Sequence, residues 1–342
     1  MLPPLTGIPP RSARSQTLVL DHRRTRDERW LMPDHQTSRP TGAVVVAVVA
    51  VVLAVVATGF AVVISTELAP AALSHGLASP AAGSSAPPIA DEPASRIAVA
   101  GDTGTGTAPV GATVERMRRE SRQDPYDALL LLGDLIYEDG EAAQTEARVI
   151  SPFAPILDTG ATLLPVLGNH DYRSNQQQQI LEKLGQHTPW YVEQIGPAKV
   201  IVLDSNQADN AQQRDWLRTT LAEPVTSGTW VIVAMHHPAY SAGNHGSDMA
   251  VRNAWSPLFA EFNVPLVLAG HDHDYQRSTP QNGVTYIVSG AAARLRPTGQ
   301  ENFTAVSAST LHYLDLLVYD DKLLGRAIDH SGVLVDTFAI TR

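Results

Sequence analysis

The sequence predicts an α/β domain of two packed β-sheets flanked by helices, and three observations predict it. Apolar, β-rich runs recur along residues 96–340, helical patterns separate the earlier runs, and the later runs follow one another closely to the C-terminus. The earlier strand-like runs are 96–100, 128–132, 163–167, 198–203, 230–234 and 265–269. The helical patterns are 112–122, 142–157, 176–184, 208–221 and 249–262. Runs 284–289, 311–319, 323–328 and 333–340 read as an antiparallel meander that closes the second sheet. Residues 96–342 are numerous enough for one large core, and they show no repeat of fixed period.

Five of the runs end in a short polar signature. In order these are Gly101-Asp102-Thr103-Gly104, Gly133-Asp134-Leu135-Ile136-Tyr137, Gly168-Asn169-His170-Asp171, Met235-His236 and Gly270-His271-Asp272-His273. Strand C-terminal ends are where open α/β sheets carry their chemistry. A lone Gly-Asp after a strand is usually a turn, and a lone strand histidine is usually a core group. Five such signatures in sequence instead describe a two-metal site. Asp102, Asp134 and a Tyr137 phenolate, with His273, suit a hard trivalent iron. Asn169, His236 and His271 suit a borderline divalent ion, Fe(II), Zn or Mn. Asp134 would bridge the two, because one shared carboxylate holds cations about 3.5–4 Å apart.

These motifs resemble the calcineurin-like metallophosphoesterase superfamily, and within it the purple acid phosphatases, over residues 95–340. Most of the superfamily opens with Asp-x-His. Here Gly104 stands in the histidine's place, and Tyr137 is expected to supply the missing ligand. Residues 233–245, from Val233 through His236 to His245, resemble the segment that carries one ligand and, nine residues on, a substrate-contacting histidine. His237 adjoins a ligand but would point away along a continuing strand, which implies packing or exposure. One departure is Tyr172, where smaller members have a further histidine. The resemblance implies a four-layer αββα sandwich, the metallophosphoesterase fold. It also implies hydrolysis of phosphate monoesters by attack of a metal-bound hydroxide, with His170 contacting phosphate or orienting the nucleophile and His245 protonating the leaving alkoxide. A phosphodiesterase of the same fold, acting on nucleotides or lipids, is the alternative. A surface module that merely retains the metals is disfavoured by the presence of both histidines. No Gly-x-Ser-x-Gly elbow occurs, and residues 101–106 lack the lysine of a P-loop.

The N-terminal part is a different polymer. Residues 43–64 are 22 uncharged, mostly aliphatic residues, enough to span a bilayer core of about 30 Å as a helix. Seven arginines precede this span, and no Lys or Arg follows it before Arg96. The positive-inside rule therefore leaves a tail of residues 1–42 in the cytoplasm. A linker rich in Ala, Pro and Ser (65–95) then carries a catalytic domain of residues 96–342 outside. Cleavage near Ala69-Pro70-Ala71 would make the protein secreted instead. Net charge is −10, and residues 96–342 carry 28 acidic against 18 basic side chains. So acidic a domain is unsuited to non-specific nucleic-acid binding. Having no cysteine, it has neither a disulfide framework nor thiolate chemistry.

Overall fold

The computed structural model describes residues 85–87 and 89–342. The expected tail, membrane span and most of the linker lie outside these residues. No helix among the described residues is long and apolar enough to cross a membrane.

In chain order the elements are β1 (Ser95–Ala100), α1 (Ala108–Glu120), β2 (Ala128–Leu131), α2 (Ser151–Leu157), β3 (Thr162–Pro165) and α3 (Gln177–Lys183). Then come β4 (Tyr191–Ile195), β5 (Ala198–Val202), α4 (Ala211–Ala222), β6 (Trp230–Ala234), α5 (Met249–Glu261) and β7 (Leu266–Ala269). The chain ends with β8 (Tyr275–Ser278), β9 (Thr285–Ser289), β10 (Thr304–Ala308), β11 (His312–Val318), β12 (Lys322–Asp329) and β13 (Leu334–Thr341). A six-stranded sheet has the order β13-β12-β11-β1-β2-β3, and a seven-stranded sheet has the order β10-β8-β9-β7-β6-β5-β4. Strands β1, β2 and β3 are mutually parallel, as are β5, β6, β7 and β9.

The central strands are buried on both faces, which is why they read as unbroken apolar runs. Ile97, Val99 and Leu130 point into the core between the sheets, together with Val200, Ile232 and Leu268. Their neighbours Ala98, Ala100, Leu129 and Leu131 face the outer layer with Val114, Met117 and Phe153. On the other side Ile201, Val233 and Val267 pack against Leu217, Trp255 and Phe259. Two mixed sheets back to back, with helices outside each, match the expected class.

Strands β11, β12 and β13 form the expected antiparallel meander, but β9 is not part of it and the sheet they close is the other one. Strand β9 lies in the seven-stranded sheet, parallel to β7, whereas β11, β12 and β13 join the six-stranded sheet, with β11 antiparallel to β1. The physical reason lies in β11, all seven residues of which are buried. Its Asp315 accepts 2.9 and 2.8 Å bonds from the Arg96 guanidinium, which is itself 1% exposed on β1. A buried charge requires that partner. The expected helix over 142–157 is also broken into a 3₁₀ turn (Ala142–Gln144), a π-helical stretch (Glu146–Ile150) and α2. Pro152 and Pro155 withhold the backbone donors that a continuous helix would use. Strands β4, β8 and β10 escaped the sequence reading because their compositions, YVEQI, YQRS and TAVSA, are polar or small. The last stretch of the expected linker is hydrogen-bonded to the domain. Ala86 N donates to Gly332 O (3.0 Å), Tyr319 Oη to Asp91 O (3.1 Å) and Ala94 N to Val318 O (2.9 Å).

Candidate metal centre

The loops leaving β1, β2 and β3 meet those leaving β6 and β7, and all seven expected ligands are drawn together there. Three sit in the left-handed region: Asp102 (φ 59°), Asp134 (φ 49°) and His271 (φ 70°). Aspartate and histidine tolerate that region better than most side chains, but it is uncommon for any residue other than glycine. Such backbone at a cluster of polar side chains marks a place where position is imposed by the fold. Close approach requires glycine beside them. A Cβ on Gly168 would fall 2.2 Å from Asp134 Oδ1, and one on Gly104 would fall 2.3 Å from the Leu135 carbonyl carbon. The second contact explains the departure at Gly104. The Leu135–Ile136 backbone fills the space a side chain at 104 would need, and Gly104 accepts a 3.1 Å bond from Tyr137 N that brings the tyrosine in.

The donor chemistry calls for a cation. His236 is fully buried, and its Nδ1 lies 2.8 Å from the Leu132 carbonyl, so Nδ1 carries the proton and Nε2 presents a lone pair. Facing that lone pair are Asn169 Oδ1 at 3.1 Å, His271 Nδ1 at 3.2 Å and Asp134 Oδ1 at 3.4 Å. Two oxygen acceptors pointed at a nitrogen lone pair repel unless a positive ion sits among them. Burial holds His236 well below the usual imidazole range and lowers His271 to about 2, so neither supplies that charge by protonation. On the other side Tyr137 Oη is 3.1 Å from both Asp102 Oδ1 and His273 Nε2, and His273 Nε2 is 3.4 Å from Asp102 Oδ1. Burial raises Asp102 to about 7 and, with Asp102 and Asp134 beside it, pushes the Tyr137 phenol upward. A phenolate there requires a bound cation to reverse that shift. Asp102, Asp134 and His236 bring ligand atoms within 4.8 Å of one another. The residues present therefore fit two ions.

His170 and His245 flank this cluster and share one arrangement. His170 Nδ1 is 2.6 Å from Glu138 O, and its Nε2 is 3.0 Å from Arg173 Nη2. His245 Nδ1 is 3.0 Å from Asp272 Oδ1, and its Nε2 is 3.1 Å from Arg296 Nη1. The His170 ring lies edge-on to Tyr137 at 4.4 Å, and the His245 ring lies 4.2 Å from His271. His237 departs from its expectation, since β6 ends at Ala234 and alternation no longer applies. Its ring sits 4.6 Å from His271 and its Nδ1 is 2.8 Å from Ser205 Oγ, so with His236 and His271 it forms a second trio with convergent ligand atoms. Tyr172 turns aside to bond Asp204 and Gln207.

Several residues at the site escaped the sequence reading. Buried Asp272, between two expected ligands, holds His245 and accepts from Ser241 Oγ. Asp171 accepts from the Leu135, Ile136 and Gly168 amides and fixes the loops carrying Asp134 and Asn169. The alternation His-Asp-His-Asp and the Asn-His-Asp triplet were the available signals. Glu138, Arg173, Arg294 and Arg296 carried none, because loops distant in sequence bring them here. Arg294 lies 4.2 Å over the Tyr137 ring and pairs with Glu138.

The sequence pattern of the calcineurin-like phosphoesterase family matches residues 95–275. The chain is similar to human tartrate-resistant acid phosphatase type 5, 28% identical over 254 residues, covering 62% of this chain and 78% of that protein. It is also similar to a cAMP/cGMP dual specificity phosphodiesterase of Mycobacterium tuberculosis, 32% identical over 179 residues, covering 48% of this chain and 54% of the relative. Among solved structures, the purple acid phosphatase from yellow lupin seeds superposes with a TM-score of 0.61 at 18% identity, covering 72% of this chain and 54% of that one. Another M. tuberculosis protein matched at 34% identity is spanned over only 21% of its length.

Proposed function

The chain belongs to the calcineurin-like phosphoesterase family, and from that premise we propose that it hydrolyses phosphate monoesters at a two-metal centre of the purple acid phosphatase kind. The observation that carries the reading is the pairing of Gly104 with Tyr137: a side chain at 104 has no room, and the phenol stands 3.1 Å from Asp102 and from His273. Asp102, Asp134, Tyr137 and His273 would hold iron, and Asn169, His236 and His271 a divalent ion, with Asp134 shared. Bound there, the ions would acidify water and offset charge on the phosphoryl oxygens.

The chain's own groups divide the remaining work. His170 keeps its Nδ1 proton on Glu138 O and accepts at Nε2 from Arg173 Nη2, so the imidazole positions a guanidinium whose remaining N–H groups orient a phosphoryl oxygen. Asp272 accepts from His245 Nδ1 and, once Nε2 is released from the Arg296 N–H that lies 3.1 Å away and takes up a proton, stabilises the imidazolium that delivers this proton to the leaving oxygen. A diester reading is favoured by one observation, the similarity to the mycobacterial phosphodiesterase. The two separate on p-nitrophenyl phosphate against bis(p-nitrophenyl) phosphate. The purified full-length protein should bind two metal ions per chain, one of them iron, prefer the monoester, and show a visible absorption band that Tyr137→Phe removes. A colourless, iron-free and fully active wild type would sink the purple-type assignment. A preference for the diester would favour the second reading. We place this activity outside the cytoplasm, tethered by residues 43–64, on the strength of the arginines that precede that span.

A further inference from the structure

We propose that Arg296 determines specificity by binding a second anionic group, phosphate or carboxylate, on the alcohol part of the ester; the inference rests on the monoesterase reading above. The segment between β9 and β10 crosses the centre beside His245 and His273. Its backbone is pinned there: Arg296 N donates to His273 O (2.9 Å), Ser309 Oγ to Arg296 O (2.7 Å) and Gly299 N to Ala242 O (3.0 Å). The guanidinium therefore starts from a fixed point and reaches His245 Nε2 at 3.1 Å.

Its electrostatic situation is unlike that of its neighbours. Arg294 is paired with Glu138, and Arg173 lies 4.0 Å from Asp139. Arg296 has no carboxylate within 4.0 Å among the described residues, although the domain carries 28 acidic groups against 18 basic ones. The contact with His245 accounts for one of its five N–H donors, and no other side-chain hydrogen bond is formed among the described residues. A half-buried guanidinium without a counter-ion is an anion receptor, and its fork matches carboxylate and phosphate oxygens.

Position decides which anion is read. The phosphoryl oxygens would be met by the ions that the seven ligands would hold and by Arg173, positioned by His170. Arg296 instead sits with His245, the group assigned to the leaving oxygen, which places its remaining donors on the leaving-group side of the site. The substrate class is thus a phosphate monoester whose alcohol carries a further negative charge.

Calorimetric binding of three phosphonates to the metal-loaded full-length protein tests this: ethylphosphonate, 2-carboxyethylphosphonate and ethane-1,2-bisphosphonate. A charge-assisted contact should give a preference of about 10–100-fold for a doubly anionic ligand over ethylphosphonate, equivalent to about 1.4–2.8 kcal/mol. The ligand showing the larger preference, carboxylate or bisphosphonate, identifies the second group. That ratio should collapse to about 1 in Arg296→Gln and persist in Arg122→Gln, which removes the same charge from an exposed position on another part of the surface. A wild type without the preference, or a preference retained in Arg296→Gln, overturns the assignment of Arg296 even if p-nitrophenyl phosphate is hydrolysed. A metal-loaded wild type that fails to hydrolyse p-nitrophenyl phosphate overturns the monoesterase reading itself.

Discussion

At Gly104 a single absent side chain decides which residues surround the first metal position. Its Cβ would meet the Leu135 and Ile136 backbone at 2.3–2.4 Å, and neither contact can yield as a flexible side chain would. Gly104→His, which restores the imidazole usual in the family, should therefore destabilise the domain by roughly 2 kcal/mol or more and lower the iron content rather than add a ligand. Denaturant titration and elemental analysis check both. The histidines should fail in two ways. Ala at His236, His271 or His273 should remove metal and activity together. His245→Ala should keep both ions and lower kcat by roughly 10²–10⁴-fold, with the loss shrinking for esters whose leaving group is a weak base. Equal loss on activated and unactivated esters would make His245 a phosphate binder; loss of a metal would put it in the coordination shell. The seven candidate ligands were legible because metals accept few residue types and each type followed a strand-like run. Arg296 and Glu138 were not, since nothing in their local sequence records which histidine they face.

At the scale of elements, strand existence was legible and sheet membership was not. Apolar runs such as 230–234 announce buried strands, but the side of β1 taken by β11 depends on Arg96 meeting Asp315, 219 residues apart. The first residue of β11 also makes the fold sensitive to acid. His312 is buried, lies 3.0 Å from Ser289 Oγ and 2.9 Å from Thr310 O, and is lowered by burial to about 4. Its folded pKa lies below the unfolded value of 6.5, so the unfolded chain takes up the proton first. Stability from this group is full above about pH 6.5 and falls as the pH drops, levelling near 4, for a total of about 3 kcal/mol. His312→Gln should show a shallower loss of stability over that window by urea titration. Parallel wild-type and variant profiles would remove His312 as the cause.

Across the whole molecule, the expected outward topology predicts that protease added to intact cells releases an active fragment by cutting within residues 66–84, ahead of the contacts made by Ala86, Asp91 and Ala94. Protection until lysis would reverse the orientation, and activity found free in the medium would indicate cleavage of the span. The proposed ligands also divide between the two halves of the sandwich. Asp102, Asp134, Tyr137 and Asn169 follow strands of the six-stranded sheet, whereas His236, His271 and His273 follow strands of the seven-stranded one. An ion coordinated by both groups would be a reversible rivet between the sheets, in a chain with no cysteine to form a covalent one. Catalytic loading and mechanical integrity then become one equilibrium: each tenfold rise in free metal above its dissociation constant should add about 1.4 kcal/mol per site to the folded state, and chelation should loosen the seam between the sheets before either sheet melts.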